Sequence, residues 1–165
     1  MMIYVDTREK KWDNIKRYFD ENSIPYDLRK LSCGDYMRDD RPDLSIDRKR
    51  NLEEISGNLF SASVDKEGHK YNRFWHEVRR SREIGVHLVV LIEHGGQIHC
   101  LDDVRNWHSK YSKVSGSRLR AEMIRVSLAY DVEFQFCAKV STGRRIMEIL
   151  YANDSWRHQT AIFHA

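Results

Sequence analysis

Cysteine is scarce in this chain: three residues in 165, Cys33, Cys100 and Cys137, an odd number with no C-x-x-C pair. That excludes a disulfide framework and favours a reduced, cytosolic setting. His94, His99 and Cys100 lie close in sequence, yet no second ligand pair stands at a structural-zinc spacing, so they are read as residues of a strand pair turning at Gly95-Gly96. No run of 18 apolar residues occurs, so no membrane span is expected. The first residues lack the charged, apolar and small-residue segments of a secretory leader. Only two prolines, with 41% apolar residues, argue against disorder. Repeats and low-complexity segments are missing too. Excess charge is small, +3 overall, and does not by itself demand a polyanionic partner. A chain of this length buries roughly two-thirds of its unfolded surface, enough for one core. Residues 1–165 are therefore expected to form one domain.

What the chain does have is acid placed with lysine. Gly34-Asp35-Tyr36 is followed, after a turn near Asp39 to Pro42, by Leu44-Ser45-Ile46-Asp47-Arg48-Lys49. Alternate side chains of a β-strand share a face, so Asp47 and Lys49 point one way while Leu44, Ile46 and the stem of Arg48 point the other. Two carboxylates and an ammonium then converge. Such a set suits phosphodiester hydrolysis: the acids hold a hard divalent cation and the lysine helps activate water or steadies charge on phosphorus. The competing reading is an exposed hairpin with solvated charges, which 32% charged residues makes a common accident.

The flanks favour the chemical reading. Ile3-Tyr4-Val5-Asp6-Thr7-Arg8-Glu9 ends an apolar, β-favouring run on an acid, as a buried strand would deliver one to a sheet edge. Asn51 with Glu54 is a helix-capping pattern, which puts Glu53 in the first turn beside the strand end.

These segments resemble the nuclease domain of the XPF family of structure-specific DNA endonucleases. The family's V-D-x-R-E corresponds to Val5-Asp6-Thr7-Arg8-Glu9, its G-D-Y to Gly34-Asp35-Tyr36, and its E-R-K-x-x-x-D to Asp47-Arg48-Lys49-Arg50-Asn51-Leu52-Glu53. Positions 47 and 53 exchange glutamate and aspartate relative to the family, keeping charge and changing reach by one methylene. The likeness continues through residues 56–60 and 73–93 and thins after about residue 95, most like the compact single-domain members of phage and bacteria. The tandem helix-hairpin-helix module of many members is not found in this sequence.

The resemblance implies a Mg²⁺- or Mn²⁺-dependent endonuclease acting on branched or otherwise structured DNA and leaving a 5′-phosphate and a 3′-hydroxyl. Asp35, Asp47 and Asp6 are the expected metal ligands, and Lys49 the residue that assists the attacking water. Arg8 and Arg48 are expected to orient the site or contact phosphate, and Glu53 to position Lys49, Arg48 or a second metal's water. Two copies are expected to be able to pair. The alternative is a non-catalytic DNA-binding domain, although decayed relatives lose the acids and lysine that remain here.

Spacing along the rest of the chain alternates strands and helices. Trp12, Ile15 and Phe19 mark a helix within residues 10–22; Leu52, Ile55, Leu59 and Phe60 a second; Tyr71, Phe74, Trp75 and Val78 a third, closed by Gly85. Tyr26, Leu28 and Tyr36 lie in extended segments of a meander completed by 44–49. His87 to Glu93 reads as a buried strand, Leu119 to Tyr130 as a helix, Val132 to Phe136 as a strand, and Ile146 to Leu150 as a last helix capped near Ser141 or Thr142. The expected fold is α/β: a restriction-endonuclease-like layered domain, with a mixed central β-sheet flanked by helices. Segments 61–68 and 109–117 are expected to be loops.

Two basic surfaces are candidates for the DNA backbone. Residues 105–125 hold Arg105, Lys110, Lys113, Arg118, Arg120 and Arg125 against Glu122, interleaved with Trp107 and Tyr111. Lys70 and Arg73 open a second basic face, on a helix where Arg73 and Glu77 fill the family's positions near the site.

Overall fold

Strand β4 (Arg41–Lys49) organises the molecule, because its alternation sends two kinds of side chain to opposite faces. Leu44 and Ile46 enter a core shared with Ile3, Val5, Val89 and Leu91. Asp47 and Lys49 leave on the other face and are nonetheless buried, 3% and 8% exposed. The structure, a computed structural model, describes residues 1–152. Its six-stranded mixed sheet also contains β1 (Ile3–Asp6), β2 (Tyr26–Arg29), β3 (Tyr36–Arg38), β7 (His87–Glu93) and β8 (Val132–Cys137), in the order β2-β1-β3-β4-β7-β8.

Helices cover both faces. On one face, α1 (Asp13–Glu21) and α5 (Thr142–Tyr151) bury Ile15, Phe19, Ile146, Ile149 and Leu150 against the sheet. On the other, α2 (Leu52–Phe60), α3 (Arg73–Glu83) and α4 (Gly116–Tyr130) contribute Leu52, Ile55, Phe74, Trp75, Val78, Leu119 and Met123 to a second core. The apolar run of β7 supplies both: Leu88, Val90 and Ile92 face α2–α4, while Val89 and Leu91 face α1 and α5. A run without alternation is what a strand covered on two sides requires. This is the expected α/β layered fold with a mixed central sheet.

Three sequence expectations are corrected. The extended segments are not a simple meander, because β1 lies between β2 and β3, parallel to the first and antiparallel to the second. No strand pair forms around Gly95-Gly96: β8 runs parallel to β7, a connection that needs a crossover, and the chain passes through a 3-10 turn (Asp103–Asn106) and α4 to make it. Within the expected 61–68 loop, β5 (Ser63–Val64) pairs with β6 (Lys70–Tyr71), so Tyr71 belongs to that hairpin rather than to α3. The α2 cap is as expected, Asn51 Oδ1 accepting from Glu54 N at 2.8 Å, with Glu54 returning to Arg50 N at 2.9 Å. Among the described residues no helix is long and apolar enough to cross a membrane.

Candidate active site

Asp35 is carried by the turn entering β3, and that turn is pressed against β4. Gly34 adopts φ +71°, and a Cβ there would stand 2.0 Å from Ser45 Oγ and 2.9 Å from the Ile46 carbonyl. Only glycine fits so close to the neighbouring strand. Asp35 N donates to Ile46 O at 2.6 Å, Ser45 Oγ donates to Cys33 O at 2.8 Å, and Arg48 N donates to Asp35 Oδ2 at 2.8 Å. The carboxylate of Asp35 is thereby held against the segment that bears Asp47 and Lys49.

Lys49 Nζ donates to Asp47 Oδ1 at 3.0 Å and lies 5.3 Å from the centre of the Phe74 ring. It also stands 2.8 Å from Asp47 Oδ2, but outside hydrogen-bonding geometry. Oδ2 is buried and makes no hydrogen bond among the described residues. From α3, Glu77 Oε1 accepts the N–H of Gly34 at 2.6 Å. A cavity of ≈ 330 Å³ is lined by Asp35, Asp47, Lys49, Phe74 and Glu77, with Arg8, Glu9, Lys10, Lys11, Arg50 and Arg73 at its sides.

Electrostatics follow from this crowding. Burial, reinforced by the charges of Asp47 and Glu9, raises the Asp35 carboxyl well above the usual aspartate range. Burial, then Asp47, raises Glu77. Lys49 feels burial as its largest influence, which favours the neutral amine, but Asp47, Asp35 and Glu77 together outweigh it and strengthen its hold on the proton. The cleft therefore holds more carboxylate than its one buried ammonium satisfies.

Arg48 leaves β4 on the opposite face and is fully engaged. Its Nε donates to Glu9 Oε1 at 2.6 Å, Nη1 to Glu93 Oε1 at 3.1 Å and Nη2 to Lys10 O at 2.9 Å. Thr142 Oγ1 and Tyr36 Oη add donors to Glu93 and Glu9 at 2.8 and 3.0 Å. The guanidinium, 3% exposed, is a bracket between β4, β7 and the segment after β1.

Of the residues singled out from sequence, the fold brings Arg8, Asp35, Asp47, Arg48, Lys49 and Arg73 to this cavity, and leaves others elsewhere. Asp6, 1% exposed, does not line it. Its oxygens accept Arg8 N, Nε and Nη2 and Leu31 N at 2.7–2.9 Å. Burial works against its ionisation, but the Arg8 guanidinium and the two backbone N–H groups prevail and lower its pKa. Asp6 thus fastens the turn after β1, with no oxygen left for an ion in the cleft. Glu53 faces away, accepting Ser109 Oγ at 2.8 Å and Lys110 N at 2.6 Å; it ties the 109–110 segment to α2.

Among the basic candidates, Lys110 and Lys113 are exposed on that tethered segment beside Tyr111, 86% exposed. Lys70 pairs with Glu122 at 2.6 Å, Arg118 lies over the Phe60 ring at 4.8 Å, and Arg120 is paired with Asp102. These three serve the α2–α4 side of the fold and do not line the cavity.

Sequence reading left Glu9 and Glu93 out of the site. Glu9 was visible as the last residue of the first motif. Glu93 ends β7 as Asp6 ends β1, an acid closing an apolar run. Glu77, set near the site by the family likeness together with Arg73, lines the cavity as Arg73 does.

The donor set suits a hard divalent cation, since the carboxyl groups of Asp35, Asp47 and Glu77 line one cavity and burial with mutual repulsion raises Asp35 and Glu77, a strain that a cation among them would relieve. Elsewhere, Asp65, Glu67 and His69 bring three ligand atoms together, but they are exposed and Asp65 Oδ1 is already closing the β5–β6 turn through Glu67 N and His69 N. His94, His99 and Cys100 form no such group among the described residues.

A mixed sheet between two helical layers, with an acid–lysine cleft at the ends of β3 and β4, defines the class of the XPF nuclease fold. Residues 5–147 match the ERCC4 domain, and the chain belongs to that family. The fold is similar to that of XPF from Aeropyrum pernix, with TM-score 0.66 at 16% identity over 99% of this chain and 69% of that one. A second structure, XPF from Aeropyrum pernix in complex with DNA, gives TM-score 0.65 at 17% identity over 99% and 73%. No curated protein matches the chain.

Proposed function

We propose that this domain is a divalent-metal-dependent endonuclease that hydrolyses phosphodiester bonds in branched or otherwise structured DNA. The observation that carries the reading is the convergence of Asp35, Asp47 and Glu77 with Lys49 on one cavity, where three acids meet a single buried ammonium.

Asp35 and Asp47 are the residues that would hold Mg²⁺ or Mn²⁺, with Glu77 and the second oxygen of Glu9 available at the cavity wall. Such an ion, when bound, polarises a phosphoryl oxygen and lowers the pKa of coordinated water. Lys49 remains an ammonium and stabilises the negative charge that grows on phosphorus oxygens in the transition state. Arg48 acts at a distance from the chemistry: its backbone N–H fixes Asp35, and its guanidinium locks the strand. Lys110 and Lys113, beside exposed Tyr111, offer cations and a ring to a nucleic-acid backbone and its bases. The DNA in the Aeropyrum complex supports the same partner here.

The test is cleavage of plasmid and of labelled forked duplexes with Mg²⁺, with EDTA, and with Lys49→Ala. The expected result is cutting that needs the ion and falls roughly 10²–10³-fold in the variant. Binding of forked DNA without ion-dependent cutting would establish the non-catalytic alternative instead.

A further inference from the structure

The cleft does not end at its carboxylates. A second cavity of ≈ 320 Å³ adjoins the first, and Arg8, Arg73 and Glu77 line both. Past this shared rim, Arg79, Arg80 and Glu83 of α3 carry the lining onward, so four arginines face two glutamates. Two of these arginines are committed. Arg8 holds Asp6, and Arg79 gives Nη1 to Lys70 O at 2.9 Å. Arg73 and Arg80 are exposed and pair with no carboxylate among the described residues; Arg80 makes only a 3.4 Å bond to Ser32 O.

His76 is the one aromatic ring among the residues lining this second cavity, against four guanidinium groups, so its chemistry is that of phosphate more than of base stacking. Guanidinium groups suit phosphate oxygen, which they meet with paired N–H donors. A strand with one phosphate against Asp35 and Asp47 extends by one nucleotide to its next phosphate, and the adjoining cavity continues the cleft past Arg8, Arg73 and Glu77.

We propose that Arg73 and Arg80 hold the backbone phosphate one nucleotide from the scissile phosphate, in the cavity that continues the cleft along α3. This rests on the phosphodiesterase reading, but its first arm concerns binding and is measured without catalysis. In EDTA, binding of forked DNA is followed by fluorescence anisotropy over a range of salt. The double variant Arg73→Gln/Arg80→Gln is expected to bind with a log K against log salt slope shallower by about 1, since the two side chains together neutralise one phosphate. Arg144→Gln, exposed on α5, leaves the slope at the wild-type value. In a second arm, single methylphosphonates are placed around the mapped cut site. Wild-type cleavage drops when one flanking phosphate is neutralised, and the double variant does not respond to it. An unchanged salt slope in the double variant overturns the proposal whether or not DNA is cut. The expected slope change with no cutting overturns the nuclease reading and leaves the phosphate site standing.

Discussion

Consecutive residues of β4 meet opposite fates. Arg48, on the α1/α5 side, is held by Glu9 and Glu93 and a backbone carbonyl. Asp47 and Lys49, on the α2/α3 side, are as deeply buried but leave one carboxylate oxygen without a hydrogen bond, with Asp35 close enough to be forced toward its protonated form. Burial alone therefore does not separate structural from chemical charge. What separates them is whether the partners close the account of donors and acceptors.

The largest test of that contrast is on the closed side. Arg48→Met leaves Glu9 and Glu93 buried against each other without their cation, and is expected to lower the unfolding free energy by about 3–5 kcal/mol, read by urea denaturation. A loss below about 1 kcal/mol would show that the bracket is not structural.

On the open side, Asp47→Asn is expected to behave in the reverse way: cleavage falls roughly 10²–10³-fold while the unfolding free energy falls by less than in Arg48→Met, because Asp35 and Glu77 remain as counter-charges for Lys49. Single-turnover cleavage and urea denaturation on one preparation measure both. A variant that unfolds as readily as Arg48→Met would erase the distinction between the faces.

The smallest effect carries the sharpest sign. Asp35, whose folded pKa is raised, binds its proton more tightly in the native state. It therefore weakens the fold as pH rises from the ordinary carboxylate range, about 4, through that raised value. Asp35→Asn should be more stable than the parent at neutral pH, and the advantage should vanish on acidification. Asp6 is lowered by Arg8 and backbone N–H groups, so its contribution is present above the ordinary range and lost as pH falls through its folded value. Asp6→Asn should cost stability at neutral pH, with the cost shrinking in acid. Urea curves from about pH 3 to 7 decide it; two variants shifting in the same direction would refute the assignment.

The same distinction explains what could be read in advance. The sidedness of residues 44–49 needs only a period of two, so the convergence of Asp47 with Lys49 was legible, as was the Asn51 cap, a matter of three residues. Asp6 shows the limit. Its place after an apolar run announced an acid at a sheet edge, but whether its oxygens face an ion or the Leu31 N–H depends on where β2 lies. That strand pairs parallel to β1 by a long-range contact no local pattern carries. Glu93 was hidden for a similar reason, since its partner Arg48 is 45 residues away. The missing strand pair at Gly95-Gly96 was a local turn signal overruled by the parallel placement of β8.

A strand that alternates structural and chemical charge has, in effect, a reading frame. Removing one residue between positions 41 and 46 would slide the guanidinium of Arg48 toward the cleft and drive the Asp47 carboxylate and the Lys49 ammonium out of it, whereas removing two would preserve the phase. Length variation in this segment among working relatives should accordingly come in even steps, or be absorbed at the β3–β4 irregularity between Met37 and Arg38, where the pairing is already out of phase.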